Sequence, residues 1–217
     1  LETINKYIDQ VKPTGNQLAV ALARKKSAEF ALQNEKETQG EKSNTVFAPK
    51  NLGNTVNSKM SEYLPSQTID GTQLFYTRRV DTYNEDFYGS TRVKNGNWES
   101  AQALKGSLNT PQSEGAMMIS QDGNVLVFTG CYRPDSYGGC DLYISTKTQE
   151  GWSAAKNLGA HINSEQWESQ PCLSPDKREL YFASRRTGGY GGSDIYVSKM
   201  QDNGQWSDPI NLGPTIN

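Results

Sequence analysis

The sequence predicts an all-β fold, a partial β-propeller of three four-stranded blades that follows a short helical segment. The first observation is a register in which an Asn is followed at fixed distances by a Glu and an Asp, with a period of 52 to 54 residues. Its copies are Asn57, Glu62 and Asp70, then Asn109, Glu114 and Asp122, then Asn163, Glu168 and Asp176. Periods of this size are typical of solenoids, propellers and arrays, so the repeat decides the fold class.

Two further observations support propeller blades. Trp98, Trp152 and Trp206 each stand eleven residues before the Asn of the next unit, the last of which is Asn217. Each unit also contains four strand signals separated by turn residues, which in the third unit cover 170–174, 179–185, 193–199 and 205–212. Four short strands per unit match the composition of a propeller blade.

Residues 1–43 are predicted to be helical. Ile4, Ile8 and Val11 recur at helical spacing, and the pattern breaks at 13–15 before Leu18 and Leu22 resume it. We interpret this segment as an amphipathic helix pair, whose apolar stripe needs a partner surface.

The propeller region is expected to cover 44–217. Residues 44–57 include Asn51-Leu52-Gly53, which matches 157–159 and 211–213 near the ends of the later units, so they are predicted to form an orphan closing strand. The blades are then expected at 58–108, 109–162 and 163–217. Because propellers have about 4 to 8 blades, three repeats predict an open part of a ring.

Composition and charge narrow the function classes. The chain has 217 residues, 34% of them hydrophobic, and a formal net charge of −2. This near-neutral balance lacks the basic footprint of a nucleic-acid-binding protein, so we expect no nucleic-acid partner. Since no apolar run approaches the roughly 20 residues of a membrane helix, we expect any membrane association to be indirect.

Several strings of the third unit resemble the WD40-like propeller repeat of the TolB type. They are SPD at 174–176, LYFASR at 180–185, GGSDIY at 191–196 and NLG at 211–213. More narrowly, the chain resembles the OmpA-family, PorE-like outer-membrane lipoproteins of bacteria with a type IX secretion system. Residues 62–65, 114–116 and 168–171 match the starts of that family's first three blades, and 86–88, 141–143 and 194–196 match their third strands.

The resemblance implies a six-bladed propeller, of which this chain would form about half, and a tetratricopeptide-like origin for residues 1–43. It also implies a periplasmic location at the outer membrane, with components of the secretion machinery as protein partners. In that family a separate OmpA-like domain binds peptidoglycan. The sequence contains no such segment, so peptidoglycan association is expected only through a domain absent from this chain.

The repeated glutamates are interpreted as structural, because a group present in every blade suits a scaffold whereas a catalytic site needs asymmetry. Buried charges must be paired, so Glu62, Glu114 and Glu168 are expected to bind backbone amides or arginines at the ends of the second strands. The candidate arginines are Arg78, Arg79, Arg133, Arg185 and Arg186.

The repeated aspartates are also interpreted as structural. Asp70, Asp122 and Asp176 are expected to cap the turns between strands. Asp86, Asp141 and Asp194 lie where a loop enters the third strand, and we attribute them to turn geometry. A calcium loop would need several oxygen ligands at close spacing, which these loops only loosely provide.

The cysteines predict one disulfide. Cys131 and Cys140 bracket a hairpin loop in one blade only, and such a pair can meet the distance limits of a disulfide, a bond that persists in the periplasm or outside the cell. The alternative is two free thiols. Cys172 aligns with Met118 and is expected to be a buried free thiol.

The remaining candidate residues are aromatic. Trp98, Trp152 and Trp206 repeat and are predicted to pack in the outermost strands. Trp167 does not repeat and is a candidate partner contact, together with Tyr132 and Tyr190.

No catalytic residue, metal ligand or cofactor is expected. His161 is the only histidine, and the sequence lacks the G-x-S-x-G elbow that would support a catalytic triad. One His and three scattered Cys also do not suit a zinc site.

These observations favour a non-enzymatic, extracytoplasmic scaffold whose rigid blades hold loops for protein partners. One alternative is the propeller domain of a hydrolase or lyase that acts on peptides or polysaccharides. Clustered, non-repeating carboxylates, His or Lys around one pore would favour it. The other alternative is a sugar- or peptide-binding propeller that uses the Tyr and Trp residues of its loops.

Overall fold

The structure is a computed structural model that describes residues 1–15, 17–18, 21–22, 24–29, 32 and 48–217. These residues divide into two compact units, Leu1–Asn51 and Leu52–Asn217. None of the helices in this described part of the chain has both the length and the apolarity needed to cross a membrane.

The first unit begins with helix α1, Glu2–Val11. Ile4 and Ile8 are its half-buried apolar residues, as the helical spacing predicts. The helix ends at Lys12, which has a left-handed φ of 50° and donates its backbone N–H to Ile8 O. Positions 15, 17–18, 21–22, 24–29 and 32 are also helical. The rest of the predicted helical segment lies outside the described residues.

The second unit consists of three antiparallel sheets, each built from consecutive strands. Blade 1 contains β1 Glu62–Gln67, β2 Gln73–Arg79, β3 Glu85–Thr91 and β4 Gln102–Ala103. Blade 2 contains β5 Glu114–Ile119, β6 Val125–Cys131, β7 Cys140–Thr148, β8 Gly151–Trp152 and β9 Lys156–Asn157. Blade 3 contains β10 Glu168–Leu173, β11 Glu179–Ser184, β12 Asp194–Lys199 and β13 Ile210–Asn211. The predicted all-β, partial propeller fold is confirmed.

The hydrophobic core lies between successive blades. Phe87 of blade 1 packs edge-on against Phe128 of blade 2, with ring centroids 5.1 Å apart. Leu142 of blade 2 belongs to one cluster with Phe182 and Tyr196 of blade 3. Because the second strand of each blade is buried, its sequence is a nearly continuous apolar run.

The outermost strand differs from the prediction. A single strand was expected over 205–212, but only Ile210–Asn211 pairs with β12 as a strand, and Trp206 forms a separate bridge with Met200. Trp98 and Trp152 pair in the same way with Arg92 and Lys147. Between the two pairings in blade 3, Ser207 N–H donates a hydrogen bond to Lys199 O. Trp152 still packs into the core, edge-on against Phe75 at 6.2 Å.

The predicted closing strand is not a strand in the part that the structure describes, residues 48–57. The N–H groups of Val56 and Asn57 both bond Gly53 O, which closes a turn instead of extending a ladder. Gly53 has a φ of 78°, and Gly159 and Gly213 have φ values of 81° and 80° in the same turn. Since this conformation favours glycine, the Asn-Leu-Gly motif marks a turn at each blade boundary.

Every innermost strand carries a β-bulge at the same place. The pairing register shifts between Tyr63 and Ser66 in β1, and at the equivalent positions in β5 and β10. The bulged residues Leu64, Ala116 and Gln170 have left-handed φ values of 51°, 48° and 56°. A bulge bends its strand and redirects the side chains beside it.

Cys172 is exposed, so the expectation of a buried thiol is wrong. Its equivalent, Met118, packs against the cluster between blades 2 and 3. Cys172 occupies the equivalent position in blade 3, but no described residue covers it there, so its thiol is accessible.

Candidate functional site

An asparagine at each blade boundary pairs with the third strand of the preceding blade. Asn163 Oδ1 accepts a hydrogen bond of 2.8 Å from Leu142 N, and Asn163 Nδ2 donates one of 3.0 Å to Leu142 O. The same two bonds join Asn109 to Phe87 and Asn217 to Ile195. The side-chain amide therefore satisfies backbone groups that would otherwise need a further strand.

A carboxylate lies at the start of every innermost strand. Glu114 is fully buried and accepts hydrogen bonds from Thr110 N at 2.8 Å, Thr110 Oγ1 at 2.5 Å and Arg133 Nη2 at 2.9 Å. Burial raises the pKa of Glu114, while Thr110 and Arg133 act in the opposite direction. The carboxylate is thus surrounded by donors of its own chain.

The equivalent glutamates have equivalent partners. Glu62 accepts from Ser58 N and Arg78 Nε, both at 2.9 Å. Glu168 accepts from Ser164 N at 2.8 Å and Ser184 Oγ at 2.7 Å, with Arg186 Nη2 at 3.5 Å. Among the predicted arginines, Arg78 in β2 and Arg133 and Arg186 in the loops after β6 and β11 thus reach these carboxylates.

The aspartates between the first and second strands hold tight turns. Asp70 Oδ1 accepts from Thr68 Oγ1 at 2.6 Å and from Thr72 N at 3.0 Å, and these bonds lower the pKa of Asp70. Asp122 and Asp176 accept the equivalent bonds from Ser120 and Asn124 and from Ser174 and Arg178. Asp122 also receives Lys177 Nζ of the next blade at 2.6 Å.

Loops 80–84, 132–139 and 185–193 join the second and third strands of the three blades. We call the end of the propeller that carries them the loop end. Asp141 accepts hydrogen bonds from Tyr137 N and Gly138 N, and Asp194 accepts them from Tyr190 N and Gly191 N. The third-strand aspartates of blades 2 and 3 therefore fix their loops. Among the described residues, no group of three or more His, Cys, Asp or Glu is placed to hold a metal ion.

Asp86 differs from its two equivalents because the loop of blade 1 is shorter. It accepts a long hydrogen bond from Asn84 Nδ2, at 3.4 Å, and burial raises its pKa. Asp81 fixes this loop instead, since it accepts Tyr83 N and Asn84 N at 2.8 Å each. Each of the three loops thus holds one tyrosine whose backbone N–H bonds an aspartate.

The tyrosine side chains of the loop end are exposed. Tyr83 is 90% exposed, Tyr132 77%, Tyr190 63% and Tyr137 51%. Tyr132 has a left-handed φ of 55° and donates its N–H to Gly139 O, so its backbone is held as well. The loop end is therefore a surface of exposed rings on braced backbone.

The base of each loop is cross-linked by different chemistry at equivalent positions. Blade 2 has the predicted disulfide between Cys131 and Cys140, which are directly paired residues of β6 and β7. Blade 1 has an ion pair between Arg79 and Glu85 at 3.5 Å. Blade 3 has a hydrogen bond of 3.2 Å from Arg185 Nε to Ser193 Oγ.

A pocket of about 220 Å³ lies beside the three innermost strands, and its lining includes Tyr63, Glu85, Trp167 and Gln170. Within the described structure the buried Tyr63 hydroxyl has no hydrogen-bond partner. Burial and the nearby Glu85 carboxylate raise the pKa of Tyr63, so the hydroxyl keeps its proton and can donate. Arg185 lies over the Trp167 ring, 4.8 Å from its centroid.

The repeat makes this pocket asymmetric. Tyr63 occupies the position of Gly115 and Ser169, and Trp167 occupies that of Ser61 and Ser113. Sequence reasoning identified Trp167 for this reason but missed Tyr63, Tyr83 and Tyr137. The exposed Asp-x-Tyr in loop 80–84 was an available signal. His161 is exposed, and its Nδ1 lies 3.0 Å from Asp208 Oδ1.

No protein-family model and no curated protein sequence matches the chain. Solved structures to which it is similar include TolB from Acinetobacter baumannii, with a TM-score of 0.49 and 15% identity over 71% of this chain and 33% of that one. A puromycin-hydrolyzing peptidase from Mycobacterium tuberculosis has a TM-score of 0.47 and 15% identity, over 73% and 24% of the two chains. The β-propeller domain of the Trilobed protease from Pyrococcus furiosus has a TM-score of 0.44 and 10% identity, over 71% and 43%. The chain thus spans a quarter to two fifths of the length of these proteins.

Proposed function

We propose that this chain is a non-enzymatic propeller scaffold that binds protein partners at its loop end. The observation that supports this proposal is a contrast: the repeated glutamates are bound by groups of the same chain, whereas the loop tyrosines are exposed. Glu62, Glu114 and Glu168 are each engaged by a backbone amide and an arginine, which leaves them unsuited to acid–base chemistry. Exposed tyrosines on braced loops instead suit recognition, because little flexibility is lost when they are covered.

The setting we propose is the periplasm, at the outer membrane, within an OmpA-family, PorE-like lipoprotein. Its partners would be components of a type IX secretion machinery, and a further domain would attach the protein to peptidoglycan. The support is the motif resemblance of the repeats. The Cys131–Cys140 disulfide is compatible with this setting, since such bonds persist in oxidising compartments.

Site-specific photocrosslinking in the native host tests the proposal. A photoreactive residue in place of Tyr190 is expected to form a defined adduct with a component of the secretion machinery. The matched control is the same residue in place of the exposed Lys94, which lies in the turn between β3 and β4 at the opposite end of the blades. Adducts that form equally at both positions, or at neither, would contradict a partner site at the loop end.

Turnover assays separate the scaffold from a propeller domain that acts with a hydrolase or lyase. The full-length protein is expected to cleave neither peptides nor polysaccharides. Turnover that disappears in Glu114→Gln or Glu168→Gln, while the variant stays folded, would overturn the non-enzymatic proposal. Cell fractionation tests the compartment, and recovery of the protein in the cytoplasm would contradict the proposed location.

A further inference from the structure

We propose that the loop end binds a neutral polysaccharide, with its exposed tyrosine rings as stacking platforms for separate sugar units. This inference goes beyond the proposed protein scaffold, because it assigns a second class of ligand to the same loop end. It is carried by the exposure, bracing, distribution and charge of the loop residues.

Exposure comes first. A tyrosine side chain is ordinarily at least half covered in a folded protein, yet Tyr83 and Tyr132 are 90% and 77% exposed. A tyrosine ring offers an apolar face and a polar hydroxyl. The C–H face of a pyranose ring can stack on the apolar face of the tyrosine, while the sugar hydroxyl groups bond the tyrosine hydroxyl.

Bracing makes the rings usable as platforms. The backbone N–H groups of Tyr83, Tyr137 and Tyr190 each bond an aspartate carboxylate. The hydrogen bonds to Asp81 and Asp194 also lower the pKa values of these carboxyls, so both stay ionised at neutral pH. Rings on fixed backbone lose little conformational freedom on binding, which favours ligands that make few contacts per unit.

The distribution of the rings over three loops also suits a polymer of sugars. One tyrosine occurs in loop 80–84, two in 132–139 and one in 185–193, and their loop neighbours include glycine, serine, threonine and asparagine. A repeating chain can contact one platform with each of several units, and simultaneous contacts raise the overall affinity.

The charges favour a neutral ligand. Arg79 pairs with Glu85, and Arg185 bonds Ser193 and covers Trp167. Asp81 accepts two backbone N–H groups, and Asp135 accepts the Tyr143 hydroxyl at 2.9 Å. Since these charges already have partners, an anionic polymer would gain little from them, and binding should depend weakly on salt.

The pocket beside the innermost strands offers a place for one sugar unit. Its volume of about 220 Å³ is below the roughly 300 Å³ at which pockets for drug-sized ligands begin. The exposed Gln170 in its lining offers a side-chain amide to a sugar hydroxyl.

Calorimetric titration of the full-length protein with cellohexaose, chitohexaose and laminarihexaose tests the inference. At least one of these neutral hexasaccharides is expected to bind, with less than a twofold change in affinity between 50 and 500 mM salt. We expect the double variant Tyr83→Ala/Tyr190→Ala to lose about tenfold in affinity or more, because each stacked ring is expected to add a few-fold. Tyr190→Phe should retain most of the affinity, since it keeps the ring.

The matched control is Tyr7→Ala, which removes a tyrosine that is 39% exposed on α1 and should leave affinity unchanged. Circular dichroism and thermal unfolding establish that the variants remain folded. Absence of binding to all three sugars at millimolar concentration, or equal binding by the double variant, overturns the inference. If Tyr190 then still crosslinks to a protein, the proposed function stands without the polysaccharide, whereas loss of both signals removes both proposals.

Discussion

Arg133 Nη2 donates a hydrogen bond of 2.8 Å to Leu108 O, and Leu108 is the last residue before the Asn that begins blade 2. Arg78 donates in the same way to Val56 O, and Arg186 to Ile162 O. Each arginine therefore joins the glutamate of its own blade to the backbone at the preceding boundary. The side chains of Val56, Leu108 and Ile162 are at most 3% exposed, so the carbonyls lie in well-packed surroundings.

We expect Arg133→Met to lower the free energy of unfolding by about 3 to 5 kcal/mol, because it leaves the buried Glu114 carboxylate without its cation. The double variant Glu114→Met/Arg133→Met should recover a large part of this loss. Chemical denaturation measures both. Arg178→Met, which breaks an exposed pair with Asp202, is the control and should cost less than about 1 kcal/mol. A single Arg133 variant as stable as the parent protein would show that the pair is dispensable.

Asn163→Ala should cost about 1 to 3 kcal/mol, since it leaves the N–H and C=O groups of Leu142 without their partner in a buried place. Asn217→Ala removes the same two bonds, to Ile195, at an exposed position where water can replace them. The difference between the two variants in chemical denaturation measures the effect of burial. Equal losses would contradict this explanation.

Acid stability should depend on the pair of Asp122 and Lys177. Lys177, together with Ser120, holds the pKa of Asp122 well below its ordinary value of 3.8. The ionised Asp122 therefore stabilises the folded state at pH values above its ordinary pKa of 3.8. This stabilisation is lost as the pH falls through the lowered pKa of the folded state. We expect Lys177→Met to shift the midpoint of acid unfolding to higher pH, whereas Lys94→Met, in an exposed turn, should not. An unchanged midpoint in Lys177→Met would indicate that the pair is too solvent-exposed to matter.

Loss of the Cys131–Cys140 disulfide should lower stability by about 2 to 3 kcal/mol in the chain-entropy model, because the bond closes a loop of about ten residues. Denaturation of Cys131→Ser/Cys140→Ser measures the loss, with Cys172→Ser as the control for removal of a thiol. Intact mass should rise by two hydrogen atoms on reduction, because each sulfur becomes a thiol. Equal stability with and without the bond would show that the loop is held by its other contacts.

Gly138→Ala should disturb loop 132–139, because an added Cβ would meet Ser164 O at 2.8 Å and also the backbone oxygen of Gln166. These are backbone atoms that cannot rotate away, so we expect a loss of about 1 to 3 kcal/mol. Gly192→Ala is the matched control, as its Cβ would meet nothing within 4 Å. Thermal unfolding of the two variants should separate them, and similar midpoints would contradict the close approach.

The sequence predicted those parts of the structure that the repeat shows three times. The Glu, Asp and Trp registers located the buried carboxylates, the turns and the edge aromatics because each blade solves the same packing problem. It failed where blades differ. Cys172 looked equivalent to the partly buried Met118, but burial depends on the neighbouring surface and not on the position within a blade. Tyr83 was missed because loop 80–84 is shorter than the other two. Tyr137 was missed although it shares a register with Tyr190, since each is followed by Gly-Gly and stands four residues before an Asp.

The bulges at Leu64, Ala116 and Gln170 fix the register in which each innermost strand pairs with the next strand. Each holds a non-glycine residue in a left-handed conformation that ordinarily costs about 1 to 2 kcal/mol, so the surrounding contacts must compensate for it. A slip of the innermost strand by one residue would move that cost to a different side chain and turn every other side chain to the opposite face. The bulges thus fix the pairing register that places the three glutamates beside their arginines. The same register places equivalent residues of all three innermost strands in the lining of the pocket.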